Sequence, residues 1–402
     1  MPPSAPRSRR ASVYVHFPWC LAKCPYCDFV SYAAPRDAID HVGYADAVIR
    51  ELALRARELE LSSPDSPRRF GSVFFGGGTP SLWDPRELGR VLAAIRATVH
   101  CEPDVEITVE CNPTSLDAEK ARALLDAGVN RLSIGTQSLR EDQLKYLGRL
   151  HDPNGARAAI EAALTSGMPR VTTDLIFGLP DQTPEDACEQ ASALADLGLA
   201  HLSCYQLTIE PGTQFGELAK RGRLPRADDG VVAEAFLAID QTLTARGFGH
   251  YEISNYARPG EEARHNLGYW RGEEYLGLGC AAFGFMLEGA ASASGVRTRN
   301  AVDPKKYVAA TAAASLLDES TSREPLDAEA LLRERIMLGL RLANGFDLGS
   351  AGAALGLDAW TDERTREVAK LSARGRLVRE DTVLRLPPAA WIWADDTAAR
   401  LF

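Results

Sequence analysis

The chain is predicted to be an α/β protein: a partial six-unit barrel of parallel strands followed by a small winged-helix-like α+β unit. Three observations predict it. Between Ser12 and Leu207, short β-branched or aromatic runs alternate six times with segments of helical period, which implies a parallel sheet with right-handed crossovers. Polar residues recur at the carboxyl ends of the predicted strands, where a barrel gathers its active site. Near the carboxyl end the pattern becomes three helical segments and two short strands.

Taken in order, the first strand, Ser12–Phe17, runs into a loop carrying Cys20, Cys24 and Cys27, and a helix follows over Tyr44–Leu59. The second, Ser72–Phe75, enters Gly76-Gly77-Gly78-Thr79-Pro80 and precedes a helix over Pro85–Val99. The third, Val105–Glu110, ends on a carboxylate and leads to a helix over Asp117–Ala127. The fourth, Arg131–Gly135, is followed by Gln137 and a helix over Asn154–Ser166. The fifth, Val171–Phe177, carries Asp174 and precedes a helix over Pro184–Leu197; the sixth, Leu202–Leu207, has Gln206 near its end. After Pro211 the alternation weakens to a helix over Asp228–Arg246, an aromatic, glycine-rich stretch over Gly249–Gly289, and an Ala- and Ser-rich connector over Ala291–Glu324. Helices over Ala328–Leu342, Leu348–Leu355 and Ala359–Ala373, with a hairpin about Glu380-Asp381, complete the chain. The expected division is a flexible terminus over 1–11, a barrel over 12–246, an extension and connector over 247–325, and the carboxyl-terminal unit over 326–402.

Composition narrows the partners. A chain of 402 residues buries a large core. Its formal net charge of -10 disfavours general nucleic-acid binding, which needs a basic footprint. No apolar run approaches the ~20 residues of a membrane span, and the first ten residues lack the apolar core of a secretory signal. The expected location is the cytoplasm, with any membrane association peripheral.

The run Cys20-Leu21-Ala22-Lys23-Cys24-Pro25-Tyr26-Cys27 carries the most chemistry. Thiolates spaced C-x3-C-x2-C on one short loop suit three irons of a 4Fe-4S cube and leave the fourth iron open. A structural zinc site needs a fourth ligand nearby, and none follows Cys27 before His41. Cys101, Cys111, Cys188, Cys204 and Cys280 lie scattered in apolar runs and read as core thiols of a reducing compartment.

The cysteine spacing with its aromatic residue, and the glycine run one strand later, resemble the radical S-adenosylmethionine (SAM) superfamily. The resemblance implies a partial (β/α)6 barrel, SAM chelating the open iron, and its reductive cleavage to a 5′-deoxyadenosyl radical. It further implies that Gly77, Gly78 and Thr79 hold the methionine amino group, that Tyr14 lies beside the cluster and that Tyr26 packs near adenine. Glu110 matches a ribose-binding carboxylate; Gln137, Arg149 and Asp174 match further polar contacts. Both oxygens of a carboxylate accept, which suits vicinal hydroxyls. Each of these residues also reads, from sequence alone, as an ordinary hydrogen bond of a barrel rim.

The opening Tyr14-Val15-His16-Phe17-Pro18-Trp19-Cys20 is similar to the coproporphyrinogen dehydrogenase-like branch. Two kinds of protein compete there: the oxygen-independent dehydrogenase, a radical enzyme that decarboxylates propionates, and the HemW-type heme chaperone, a transfer protein and not an enzyme. The dehydrogenase pattern has a fourth cysteine where this chain has Phe29, and its longer leading segment has little counterpart before Ser12. His265-Asn266-Leu267-Gly268-Tyr269-Trp270 looks like the chaperone's HNxxYW element, which implies heme binding through His265, Asn266, Tyr269 and Trp270. A neutral imidazole is a good axial ligand, and two aromatic rings offer flat apolar surface; the alternative is a core cluster with a satisfied histidine. Arg258, Arg264 and Arg271 flank the element as partners for propionates. The expected function is a heme chaperone that binds a 4Fe-4S cluster, SAM and heme, delivers heme to respiratory, membrane-associated hemoproteins, and is compatible with a homodimer. The rivals are the dehydrogenase and another radical SAM enzyme such as a methyltransferase.

Overall fold

A computed structural model of the chain describes residues 9–288 and 293–402. Six parallel strands form its centre: β1 (Arg9–Phe17), β2 (Arg68–Gly77), β3 (Cys101–Cys111), β4 (Arg131–Gln137), β5 (Arg170–Phe177) and β6 (His201–Gln206), adjacent in that order. The flexible segment expected over 1–11 is therefore corrected at its end, because Arg9–Ala11 pair with β2 and Ala11 also with the strand on the other side of β1; residues 1–8 lie outside the described residues.

The helices between the strands start where the sequence supplies a cap and a proline. Asp84, Asp152 and Thr183 each accept a backbone N–H of the first turn, and Pro85, Pro153 and Pro184 follow them. The side chain satisfies a donor that the helix leaves free, and proline removes another. The helix α1 (His41–Glu58) is capped by Asp40 in the same way. Its buried Glu51 accepts from Gly279 N and the Tyr307 hydroxyl at 2.8 Å each, and from Asn300 Nδ2 at 2.7 Å.

Those three partners belong to a region, part strand and part helix, that the sequence does not announce. Four more strands extend the sheet beyond β1: β9 (Glu274–Leu278), β10 (Phe283–Glu288), β11 (Ser294–Asn300) and β12 (Thr321–Leu326). β9 runs parallel to β1 and the next three are antiparallel. The Ala- and Ser-rich connector is thus corrected to two strands flanking a helix, Pro304–Ala312; residues 289–292 of the stretch lie outside the described residues. Beyond β6 the sheet ends with β8 (Asn255–Ala257) and β7 (Gly249–Glu252).

The carboxyl-terminal unit has helices over Ala328–Gly339, Leu348–Leu355 and Asp362–Ala373 and a hairpin of Val378–Glu380 with Val383–Arg385. It has its own apolar core, with Leu332, Ile336, Leu348, Leu371 and Leu384 buried. It joins the barrel through backbone bonds at the outer strand: Ile253 N to Arg341 O and Ala343 N to Tyr251 O, both 3.0 Å.

A short helix, Arg264–Trp270, packs against β1 and β2. Its first turn is fixed by the buried Glu106, which accepts from Arg264 N at 3.2 Å and His265 N at 3.1 Å. Arg131 and Arg170, at the starts of their strands, bring guanidinium nitrogens to 3.7 and 3.6 Å of the same carboxylate. The helix therefore closes the amino-terminal end of the barrel, opposite the cysteine loop. Removing one side of a buried ion pair leaves the other charge uncompensated, at a loss of ~3–5 kcal/mol. Glu106→Ala is expected to lose stability on that scale, measured by urea unfolding against the parent chain.

Candidate functional site

The end of β1 and the end of β2 build the site together. Phe17 pairs with Gly77, and the two chains then stay in contact beyond the sheet, with Gly78 N donating to Phe17 O at 2.7 Å and Thr79 N to Trp19 O at 2.8 Å. A Cβ on Gly78 would lie 2.6 Å from Trp19 O, and one on Gly77, whose φ is +109°, would lie 2.5 Å from the His16 ring. Only glycine permits that approach and that backbone. The cysteine loop and the glycine turn therefore leave the sheet as one unit.

Cys20, Cys24 and Cys27 face a cavity of about 440 Å³ at the carboxyl ends of the strands. Tyr26, Gly77, Gly78, Thr79, Glu110, Gln137, Arg149 and Asp174 line it with them. Eleven of the sixteen residues singled out from sequence thus converge on one mouth, although they come from six separate strand ends and loops. Gln137 holds φ at +68°, a left-handed backbone unusual for a non-glycine residue and typical of functional positions.

The carboxyl groups of the polar wall are shifted by burial. Burial, reinforced by the nearby Asp174 charge, pushes Glu110 up to about 8, although its carboxylate accepts from Gly77 N at 3.0 Å. Burial likewise raises Asp174 to about 6, opposed by hydrogen bonds from Ser203 and Ser133. Two carboxylates at the strand ends with a guanidinium beside them give donors and acceptors for a zwitterion and for sugar hydroxyls.

The donor set fits an iron–sulfur cube. Burial raises the Cys20 thiol and takes Cys27 to about 11, so metal loading must release protons. Among the described residues no trio of His, Cys, Asp or Glu is gathered to hold one metal ion. A cube spreads its three protein bonds over three irons and takes thiolates set wider apart than a single ion does.

Five residues stand elsewhere. Tyr14 is outside the cavity wall: its hydroxyl donates to His16 Nδ1 at 3.0 Å, and His16 Nε2 donates to Val30 O at 2.8 Å. Because a carbonyl only accepts, Nε2 carries the proton and Nδ1 is the acceptor. Burial holds His16 down to about 4, so the ring is neutral. Tyr14 supports the cysteine loop from below through His16.

His265, Asn266, Tyr269 and Trp270 lie on the helix at the opposite end of the barrel. His265 is 1% exposed, with Nδ1 at 2.9 Å from Ser72 Oγ and Nε2 at 3.0 Å from the Tyr269 hydroxyl. Both ring nitrogens are engaged, and burial lowers its pKa to about 3. His265 stacks on Phe74, centroids 4.8 Å apart, and its contacts are those of the core-cluster alternative. Asn266 is half-buried on the same helix, and Trp270 lies under the Arg341 guanidinium, 5.0 Å from its ring centre. Of the flanking arginines, Arg264 pairs with Asp104 at 2.7 Å and Arg258 covers the Phe248 ring, while Arg271 is exposed.

Sequence reasoning missed several lining residues, among them Phe29, Asn112, Ser133, Tyr205 and Leu207. Asn112 and Leu207 lie just past strand ends, which was the available signal for them, whereas Ser133 and Tyr205 lie within their strands. Phe29 is 56% exposed and presents an open aromatic face at the rim.

The Glu110 carboxyl provides a pH test. Its folded value of about 8 lies above the ordinary 4.5, so its proton favours folding at low pH and that contribution disappears as pH rises through about 8. Cluster-free Glu110→Gln is expected to match the parent chain in urea midpoint near pH 4 and to exceed it above pH 8.

Comparison with known proteins places the chain. A model of the radical SAM superfamily, the family built on a 4Fe-4S cluster and SAM, matches residues 14–193, and a model of the HemN C-terminal domain matches 326–393. Heme chaperone HemW of Mycobacterium tuberculosis (strain CDC 1551 / Oshkosh) is 38% identical over 85% of this chain and 84% of its own length. Heme chaperone HemW of Escherichia coli (strain K12) is 41% identical over 68% of this chain and 69% of its own. The protein of that name from Haemophilus influenzae is 39% identical over 69% and 71%. In fold the chain is similar to coproporphyrinogen III oxidase (HemN) from Escherichia coli, with a TM-score of 0.79 at 20% identity, covering 99% of this chain and 91% of that one. With relatives at this identity along most of its length, the chain belongs to the HemW heme-chaperone family of the radical SAM superfamily.

Proposed function

We propose that the protein is a heme chaperone: it holds a 4Fe-4S cluster on Cys20, Cys24 and Cys27, binds SAM in the cavity beside it, and carries heme to acceptor hemoproteins. The observation that carries this reading is the 38% identity over 85% of the chain to a protein named as a heme chaperone. Phe29, in the place where the dehydrogenase pattern has a further cysteine, supports transfer over decarboxylation. When bound, the cluster supplies an electron to SAM. The chain's own residues set where SAM lies. Gly77, Gly78 and Thr79 would hold its amino acid part through backbone and hydroxyl groups of the turn, Glu110 and Asp174 would face hydroxyls, and Gln137 and Arg149 would supply further polar contacts from the same wall.

Heme is the cargo, and His265 belongs to the frame of the protein and not to the iron. For His265 to act as an axial ligand, Nε2 would have to give up Tyr269 or Nδ1 give up Ser72, leaving a buried hydroxyl unpaired at ~1–3 kcal/mol. The proposed acceptors are respiratory hemoproteins reached from the cytoplasm. Among the described residues no helix is long and apolar enough to cross a membrane.

The test is an anaerobic heme titration of the reconstituted protein followed by its Soret absorbance, with coproporphyrinogen, SAM and reductant supplied in a parallel assay. Stoichiometric heme binding without porphyrinogen conversion is expected; conversion, or no heme binding with the cluster intact, overturns the reading. His265→Ala is expected to melt at lower temperature and to keep its heme stoichiometry. Loss of heme at an unchanged melting temperature would return the histidine to the iron.

A further inference from the structure

Arg149 is a half-buried cation in the cavity wall whose charge reaches Asp174, yet it forms no ion pair among the described residues. The groups that bear on it most are Tyr26 and Cys24. Its Nη1 donates to Cys24 Sγ at 3.3 Å and its Nη2 to Gly135 O, at the end of β4, at 2.9 Å. Its Nε is buried and has no hydrogen-bond partner. A buried charge is costly unless it is paired and hydrogen-bonded, so this guanidinium is placed for an anion at the cysteine loop.

The backbone is shaped for that approach. Gly148, next to Arg149, holds φ at +65°, and a Cβ there would come within 2.6 Å of Pro25 Cδ, in the turn between Cys24 and Tyr26. The segment carrying Arg149 is therefore pressed against the cysteine turn itself. A second donor reaches the neighbouring sulfur from the other side, Thr79 Oγ1 to Cys20 Sγ at 3.4 Å.

We propose that Arg149 is a positioning residue for the cluster, acting as counter-ion to the Cys24 thiolate, with Thr79 giving a weaker, uncharged bond to Cys20. This rests on the reading of the three cysteines as a 4Fe-4S site. Hydrogen bonds to the sulfurs and local positive charge tune the potential of an iron–sulfur centre. Reduction adds negative charge, so Arg149 favours the reduced form and raises the reduction potential. This role is independent of any contact with SAM, and it operates in the SAM-free protein.

The test uses the full chain, reconstituted anaerobically without SAM or heme, with iron and acid-labile sulfide measured and the cluster titrated with reductant while its visible absorbance and EPR signal are followed. Arg149→Met is expected to show a reduced-to-oxidised ratio about tenfold lower than the parent chain at a fixed potential, a shift of ~59 mV for one electron. Arg149→Lys, which keeps the charge, should recover most of it, and Thr79→Val should shift in the same direction by less. A cluster lost in Arg149→Met but retained in Arg149→Lys, at equal melting temperatures, also supports the assignment. Full iron content with an unshifted potential in Arg149→Met overturns it, since a residue serving SAM alone leaves the SAM-free cluster unchanged. A parent chain that takes up no iron overturns the cluster reading instead.

Discussion

The pairing of β1 with β2 at Phe17 and Gly77 is the constraint on which the mouth of the barrel depends. Two loops leave neighbouring strands at the same level, and the bonds from Gly78 N and Thr79 N to the loop after β1 carry the pairing past the end of the sheet. The cysteines and the glycine turn consequently have a fixed mutual position before any ligand arrives. A slip of one residue in this register would turn every side chain of the strand to the other face. It would carry Gly77 away from His16 and break the stack in which Tyr14, His16 and Val30 O support the cysteine loop. Preorganisation of this kind matters for a site whose ligands are three side chains on a short, otherwise irregular loop.

The other end of the barrel is held by charge. Glu106, itself buried, collects two backbone N–H groups and faces two guanidinium groups. The helix it anchors fills the barrel with rings. Tyr269 meets His265 edge-on, His265 stacks on Phe74, and Phe74 stacks on Tyr14, whose hydroxyl reaches His16. The HNxxYW residues thus stand at the base of a column whose top supports the cysteine loop. Within that column His265 has both ring nitrogens hydrogen-bonded, and burial lowers the pKa of His16 and His265 alike.

Much of this was legible in the sequence because the signals were local. The six barrel strands and their helices follow from period and from the Asp-Pro and Thr-Pro starts, and the cysteine loop follows from spacing alone. Glu110, Gln137 and Asp174, singled out by resemblance, lie in the cavity wall. The failures share one cause, dependence on long-range contacts. The run from Ser294 to Asn300 reads as polar because its strand is half-covered, with Arg297 and Arg299 on it, and only its pairing with β10 and β12 makes it a strand. The surroundings of His265 were not legible for the same reason. A histidine beside a tyrosine and a tryptophan has one sequence signature whether it faces a ligand or a serine on a strand nearly two hundred positions earlier. Tyr14 lies outside the cavity wall and meets the region of the cysteine loop through His16.

The backbone bonds between the outermost strand and the carboxyl-terminal unit decide how the chain is divided. A sheet of twelve strands has two open edges, and a free edge invites pairing with other chains. Beyond β7, the segment about Arg341 and Ala343 takes up backbone groups of Tyr251 and Ile253. The final unit is thus an edge guard for the barrel as much as a fold of its own. A barrel expressed without it would offer that strand to its neighbours, so the boundary near residue 326 marks a change in architecture without marking a point at which the protein can be cut.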